Sequence, residues 1–237
     1  MDLKRHDGGP LPYLVAEPDG YDSDSRYPMI ILLHGFGAHM GDLAGLSHEI
    51  DTGSYLYAFP NAPLPMDTGT GGTGYAWFPF GEAGEAEAAA ESDGLLREFI
   101  KEVLDRYNIE PGRAILGGFS QGGMMTLRVG LSAPDPFSGL VVLSSRLPDP
   151  DEMSGPAPAD PPIPIFMAHG TLDPIVPVDD ARRSRRTLEA RGYRPDYREY
   201  EMAHQISREV LDDLVPWIHR VLPPNDDDAV DPPMGMD

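Results

Sequence analysis

The chain has 237 residues, 41% of them apolar, which is enough for one α/β domain with a large buried core and too apolar for disorder throughout. Its formal charge of 18 − 39 = −21 argues against a nucleic-acid partner, and the absence of cysteine excludes disulfides, thiolate metal sites and a cysteine nucleophile. No apolar run approaches the roughly eighteen residues of a membrane span, and the charged first residues lack the apolar core of a signal peptide, so the expected setting is cytoplasmic. Lysine occurs only at Lys4 and Lys101, and such an acidic, lysine-poor surface is that of a salt-adapted protein or simply of a soluble acidic one.

In chain order, Tyr13-Leu14-Val15-Ala16 between Pro12 and Pro18 reads as an edge strand, where proline is tolerated. Residues 29–33 form a continuous apolar run suited to a strand buried on both faces, and it ends in the loop His34-Gly35-Phe36-Gly37. Residues 55–59 read as another short strand. Residues 67–74, rich in Gly and Thr, read as a loop leading to the aromatic run 75–80. That run is either core or, with Trp77 and Phe78 displayed, the lining of an apolar ligand cleft.

Residues 85–107 read as a long helix with Leu96, Ile100, Val103 and Tyr107 on one face and Glu85, Glu87 and Glu91 toward its positive end. A short apolar run, 114–116, then leads into Gly118-Phe119-Ser120-Gln121-Gly122, with a helical stretch over 124–131. Strand, tight turn and helix is the setting in which G-x-S-x-G presents a nucleophile, because the two glycines remove Cβ atoms that would collide there. Residues 140–143 and 163–167 read as further buried strands, and the proline-rich stretch 144–162 between them as an exposed excursion without its own core. Residues 178–190 read as a helix with Asp179 and Asp180 in its first turn, and its arginine cluster as a solvated face. A strand over 195–201 and an amphipathic helix over 206–221 follow, with Pro216 expected to kink or divide that helix. Residues 1–222 thus read as one domain and residues 223–237 as a disordered acidic tail.

The alternation implies an α/β fold, a mostly parallel central sheet with helices on both faces, and a site at the carboxyl ends of its strands. His34, Ser120, Asp173 and His204 all fall just after predicted strands. A serine hydroxyl needs a base to take its proton, and the base needs an acid to fix its tautomer. Of the seven histidines, His34 and His169 precede glycines and read as turned inward onto backbone; His6, His39, His48 and His219 lack a strand-end setting; His204 remains. Asp179 and Asp180 are explained by the helix start, which leaves Asp173 as the acid. The order Ser120, Asp173, His204 is that of an α/β-hydrolase triad. The backbone N–H groups of Gln121 and Phe36 are the natural pair of oxyanion donors.

These motifs, with Ala76-Trp77-Phe78, Gly118-Phe119-Ser120-Gln121-Gly122-Gly123, His169-Gly170-Thr171-Leu172-Asp173-Pro174-Ile175-Val176-Pro177 and His204, resemble the phospholipase/carboxylesterase family. The resemblance implies an α/β-hydrolase without a large lid and metal-free, cofactor-free hydrolysis of short- to medium-chain carboxylic esters, with thioesterase or lysophospholipase-like activity as the alternative. It implies Ser120, Asp173 and His204 as the triad, Phe36 and Gln121 as oxyanion donors, and Trp77 near the acyl site. The family often carries an acidic residue after H-G-x-G, where this chain has Ala38-His39, and that departure bears on substrate range. The rival readings are a lipase or peptidase on the same fold, a hydrolase-fold binding protein without catalysis, and a metal site at His34, His39 and Asp42. Uncovered acyl clefts near Trp77 and Phe78 would suit a weak homodimer.

Overall fold

Side-chain alternation along the central strands decides the layers. In β3 (Met29–Leu33), Met29, Ile31 and Leu33 enter one buried cluster and Ile30 and Leu32 enter the other, so both faces of the strand are covered. The computed structural model describes residues 1–69, 72–81, 84–148 and 158–225. Its main sheet contains β1 (Asp2–His6), β2 (Tyr13–Glu17), β3, β4 (Leu56–Pro60), β7 (Ala114–Phe119), β8 (Phe137–Leu143), β9 (Ile165–Gly170) and β10 (Asp196–Tyr200). Their spatial order is β1-β2-β4-β3-β7-β8-β9-β10, antiparallel at the β1–β2 and β2–β4 pairs and parallel from β4 to β10. A separate hairpin joins β5 (Leu64–Asp67) to β6 (Thr73–Ala76).

One face of the sheet is covered by α2 (Glu85–Arg106), α3 (Gln121–Ser132) and α4 (Val178–Ala190), through Leu96, Phe99, Met125, Leu127 and Leu188. The other carries the short α1 (Leu46–Ile50) and α5 (Arg208–Val221), through Ile50, Val210, Leu214, Trp217 and Ile218. Each fully buried aliphatic or aromatic side chain contributes about 1.5–3 kcal/mol relative to its exposed state, so α5 is held by its apolar stripe more than by its own backbone.

Four sequence expectations change. The first strand read from sequence, β2, is not the edge: the polar β1 pairs with it in register Lys4 opposite Val15. Both prolines lie outside β2, so no ladder bond is lost to them. The stretch 67–74 is not simply a loop, because its ends belong to the β5–β6 hairpin. That hairpin backs the H-G-x-G loop through Gly37 N–H to Tyr75 O at 2.9 Å and Tyr75 N–H to Ala38 O at 2.8 Å. Pro216 does not divide α5: it lies on the exposed side, and the Asp212 carbonyl left without its usual donor sits on an exposed residue. The excursion expected over 144–162 is not exposed at its start: Ser144, Ser145 and Leu147 are buried, tied to Ser120 and α4, while residues 149–157 and, of the tail expected from 223, residues 226–237 lie outside the described residues.

The turn from β7 into α3 sets the rest. Ser120 stands at φ 54°, ψ −119°, a sparsely populated conformation for a residue with a side chain. A Cβ on Gly118 would lie 2.3 Å from the backbone of Gly122, and one on Gly122 would lie 2.0 Å from the carbonyl of Leu33. Backbone cannot yield to such contacts, so only glycine lets β3, β7 and α3 meet at this point. Gly94, exposed in mid-α2, is the opposite case: a Cβ there meets nothing within 4 Å. Gly94→Ala is therefore expected to raise stability by about 0.5–1 kcal/mol, a gain of a few degrees in Tm. Gly118→Ala is expected to cost about 3 kcal/mol or more, or to prevent soluble accumulation. Thermal unfolding of both variants checks this, and a Gly118→Ala protein as stable as the wild type would contradict the close approach.

Candidate active site

The carboxyl ends of β3, β7, β8, β9 and β10 open on one side of the sheet, and each delivers part of the site. Ser120 follows β7 directly. Its own N–H donates to Leu143 O at 2.9 Å, and its carbonyl accepts from the Ser145 hydroxyl at 2.6 Å and from Gly123 N–H at 3.0 Å. The raised backbone is thus tied to the end of β8 and to the first turn of α3.

Asp173 lies on the loop after β9 with its side chain fully buried. Its Oδ1 accepts from the amides of Ile175 at 2.8 Å and Val176 at 2.9 Å, and its Oδ2 accepts from His204 Nδ1 at 2.7 Å. Burial alone pushes this carboxyl up. The hydrogen bonds from His204, Val176 and Ile175 together outweigh it and hold the group below the usual aspartate range. The carboxylate is therefore ionised, and the bond assigns a proton to Nδ1 of His204, so that Nε2 is the ring nitrogen left for exchange with substrate or serine.

His204 sits between β10 and α5, its ring 4.7 Å from that of Phe119. The loops of acid and base are stitched together by Thr171 N–H to Tyr200 O at 2.8 Å and Leu172 N–H to Met202 O at 3.1 Å. His204 and Ser120 line the same cleft of about 430 Å³, although no hydrogen bond joins their side chains in this structure. Catalytic serine–histidine bonds are often long in free enzymes and tighten with substrate.

His34 and His169 are turned inward, as expected. His34 donates from Nδ1 to Gly35 O at 2.8 Å and accepts the Ala62 N–H on Nε2 at 3.0 Å. Burial pushes its pKa down, so the ring is neutral. With both nitrogens used, His34 has no lone pair left for a metal. His169 donates from Nε2 to Val176 O at 2.8 Å and so braces the loop that carries Asp173.

Phe36 and Gln121 flank the serine. Phe36 follows Gly35, where an added Cβ would stand 3.3 Å from Ser120 Cβ, and Gln121 opens α3. The Gln121 side chain is buried: its Nε2 donates to Phe78 O at 2.7 Å and its Oε1 accepts from Trp77 N–H at 2.9 Å. Trp77 corrects the expectation of a cleft-lining residue. It is 0% exposed, and its indole N–H donates to His34 O at 3.0 Å. It therefore locks the two segments that carry the candidate oxyanion donors and does not line the cleft of Ser120 and His204. Phe78, also buried, lines an adjoining hollow instead. The apolar walls of the cleft are Phe36 (44% exposed), Phe80 (43%) and Ile175 (67%), with Met124 inside. Sequence reasoning missed Phe80, Ile175, Ser145 and Arg146 as lining. The available signal was position, since Ile175 and Arg146 lie two and three residues beyond Asp173 and the end of β8.

The family model for phospholipases and carboxylesterases matches residues 21–222. Among curated relatives, acyl-protein thioesterase 1 of Debaryomyces hansenii is 33% identical over 81% of this chain and 90% of its own. Acyl-protein thioesterase 1 of Candida albicans is 29% identical over 85% and 95% respectively. Among solved structures, a carboxylesterase from Mesorhizobium loti superposes with a TM-score of 0.76 at 19% identity, covering 92% of this chain and 99% of that one. Acyl-protein thioesterase 2 of Zea mays superposes with a TM-score of 0.69 at 22% identity, covering 89% and 98%. At these identities the two structures speak for the fold.

Asp173→Asn keeps the shape of the acid and removes its charge. On ester substrates kcat is expected to fall by about 1,000- to 10,000-fold. A carboxyl held below its unfolded value stabilises the fold above that value, about pH 3.9, and the contribution is lost as pH falls through the lower folded value. The stability gap between wild type and variant should therefore be full near pH 6 and shrink below about pH 4. Thermal unfolding between those limits measures it, and a pH-independent gap would rule out the ionised carboxylate.

Proposed function

This chain belongs to the phospholipase/carboxylesterase family of hydrolases, and from that premise we propose that it is a serine carboxylesterase acting on small esters of short to medium acyl chain. The observation that carries the reading is the 2.7 Å bond between His204 Nδ1 and the buried Asp173, in a cleft shared with Ser120. Ser120 Oγ attacks the acyl carbon while His204 Nε2 takes its proton. The charged imidazolium is stabilised by the Asp173 carboxylate. Negative charge developing on the former carbonyl oxygen is met by the N–H groups of Phe36 and Gln121, one such donor being worth about 3–4 kcal/mol of the barrier. The intermediate collapses to an acyl-enzyme as His204 returns the proton to the leaving alcohol. Water then attacks the acyl carbon with His204 as base again and frees the acid. Every step is supplied by side chains and amides of this chain.

The cleft supports a modest acyl group. Phe36, Phe80, Met124 and Ile175 give it apolar walls, and no helical cap covers it among the described residues. A thioester is the second reading, favoured by relatives named acyl-protein thioesterase at 29% and 33% identity. The same attack and the same two donors serve it, since the oxyanion is alike and only the leaving group changes.

Hydrolysis of 4-nitrophenyl esters from acetate to palmitate, by wild type and by Ser120→Ala, tests the reading. Wild-type turnover of the shorter esters is expected, with a loss of at least about 1,000-fold in Ser120→Ala. Ser120-dependent cleavage confined to acyl thioesters would select the second reading. An unchanged rate in Ser120→Ala would sink both.

A further inference from the structure

The catalytic cleft adjoins a second hollow of about 510 Å³, and Met124 and Arg146 line both. Arg146 follows β8 by three residues in a segment pinned at four points. Ser144, at φ 45°, donates its N–H to Ala168 O at 2.8 Å and its hydroxyl to Gln205 O at 3.1 Å. Ser145 donates to the carbonyl of Ser120, and Leu147 N–H donates to the Ser184 hydroxyl at 2.7 Å. The backbone on either side of Arg146 is therefore fixed to the nucleophile turn, the histidine loop and α4.

The charges around the hollow are mostly spoken for. Arg128 chelates Asp93 at 2.8–3.1 Å, Arg183 pairs with Asp180 at 3.1 Å, and Glu85 accepts the Gly81 N–H at 2.6 Å. Arg146 is different. Its guanidinium makes one hydrogen bond, from Nη1 to the neighbouring Leu147 O at 3.2 Å, and it has no carboxylate partner among the described residues. In a chain of charge −21, a guanidinium without an acid at the junction of two cavities is a candidate contact for an anion.

We propose that Arg146 is a specificity-determining residue that binds a carboxylate carried by the substrate, so that the preferred substrates are anionic esters. This rests on the esterase reading for the reaction but not for the binding. A guanidinium meets a carboxylate through two parallel N–H bonds, which neither water nor a neutral chain can imitate. Met124, with Phe78, Ala89 and Leu147 among otherwise polar lining, offers apolar contact to a carbon chain between the reacting carbonyl and that charge. The carboxylate belongs either to the acyl part or to the alcohol part of the ester, and the two are separable by experiment.

Two substrate pairs serve. Mono-4-nitrophenyl suberate is compared with 4-nitrophenyl octanoate for an acyl-side charge, and 4-carboxyphenyl hexanoate with phenyl hexanoate for an alcohol-side charge. In Arg146→Ala, kcat/KM for the anionic member of one pair is expected to fall about tenfold further than for its neutral partner. Arg146→Lys, which keeps a point charge but loses the fork, should fall between the two proteins. Equal losses for both members in both pairs would overturn the proposal and leave the esterase reading standing. Calorimetric binding of suberate monoamide to Ser120→Ala, with and without Arg146→Ala, needs no turnover. A dissociation constant about tenfold weaker without Arg146 supports the anion contact even for a chain that hydrolyses no ester, and an unchanged constant together with equal losses for 4-carboxyphenyl and phenyl hexanoate refutes it.

Discussion

Everything near the site depends on the positive φ of Ser120. That conformation costs on the order of 1–3 kcal/mol and persists only where the surroundings leave no alternative. Here β3, β7 and α3 approach so closely that only hydrogen atoms fit at Gly118 and Gly122. The close approach has a chemical consequence. It lifts the serine hydroxyl clear of the sheet and starts α3 at the next residue, so the unpaired amides of a helix start face the same point. The end of β8 then seals the turn from behind through Ser145. Strain, the candidate nucleophile and the candidate donor are one piece of backbone.

Trp77 shows why residue type and neighbourhood did not settle a role. A run of aromatics after a Gly-rich stretch suits both a cleft wall and a core plug, and the two demand the same letters. What separates them is which ring meets the β5–β6 hairpin and the Gln121 amide, and that is a tertiary fact. In the fold Trp77 is the plug, bonding the His34 carbonyl and the Gln121 side chain, while Phe80, three residues on, is the wall. The consequence for chemistry is indirect. By holding His34 and Gln121 together, Trp77 fixes the separation of the two segments that supply Phe36 and Gln121.

The parallel strands were legible because burial on both faces requires a continuous apolar run, and residues 29–33, 114–116 and 140–143 have one. The helix α4 was legible over its whole length from its acid-first, arginine-later charge order. The strand β1 was not, because an exposed edge strand has no buried face to write into the sequence; Lys4 is held there by Glu17 at 2.6 Å instead. The hairpin was hidden for a related reason: with Pro65 and Gly74 in four-residue strands, no alternation develops. In the site, the positions of Ser120, Asp173 and His204 after strands were legible from strand ends together with the G-x-S-x-G turn. The walls were not, since exposed Ile175 and half-buried Arg146 have no period to betray them.

Among the acids, Asp173 differs from its near neighbours by donors rather than by charge. Asp179 and Asp180 sit in the first turn of α4, where each has an arginine within 3.1 Å, and water moderates both pairs. Asp173 has no lysine or arginine paired with it among the described residues, yet three N–H groups converge on a carboxylate that water does not reach. Fixed dipoles inside the fold thus do what a salt bridge does poorly outside it, since they need no desolvation at the moment of reaction. The same contrast applies to the whole molecule. Its net charge of −21 acts through a screening length of about 10 Å at 0.1 M salt, so it sets solubility and the approach of ions. Within the cleft, the groups nearest to hand decide, and those lining it include Phe36, Gln121, His204 with its bond to Asp173, and Arg146.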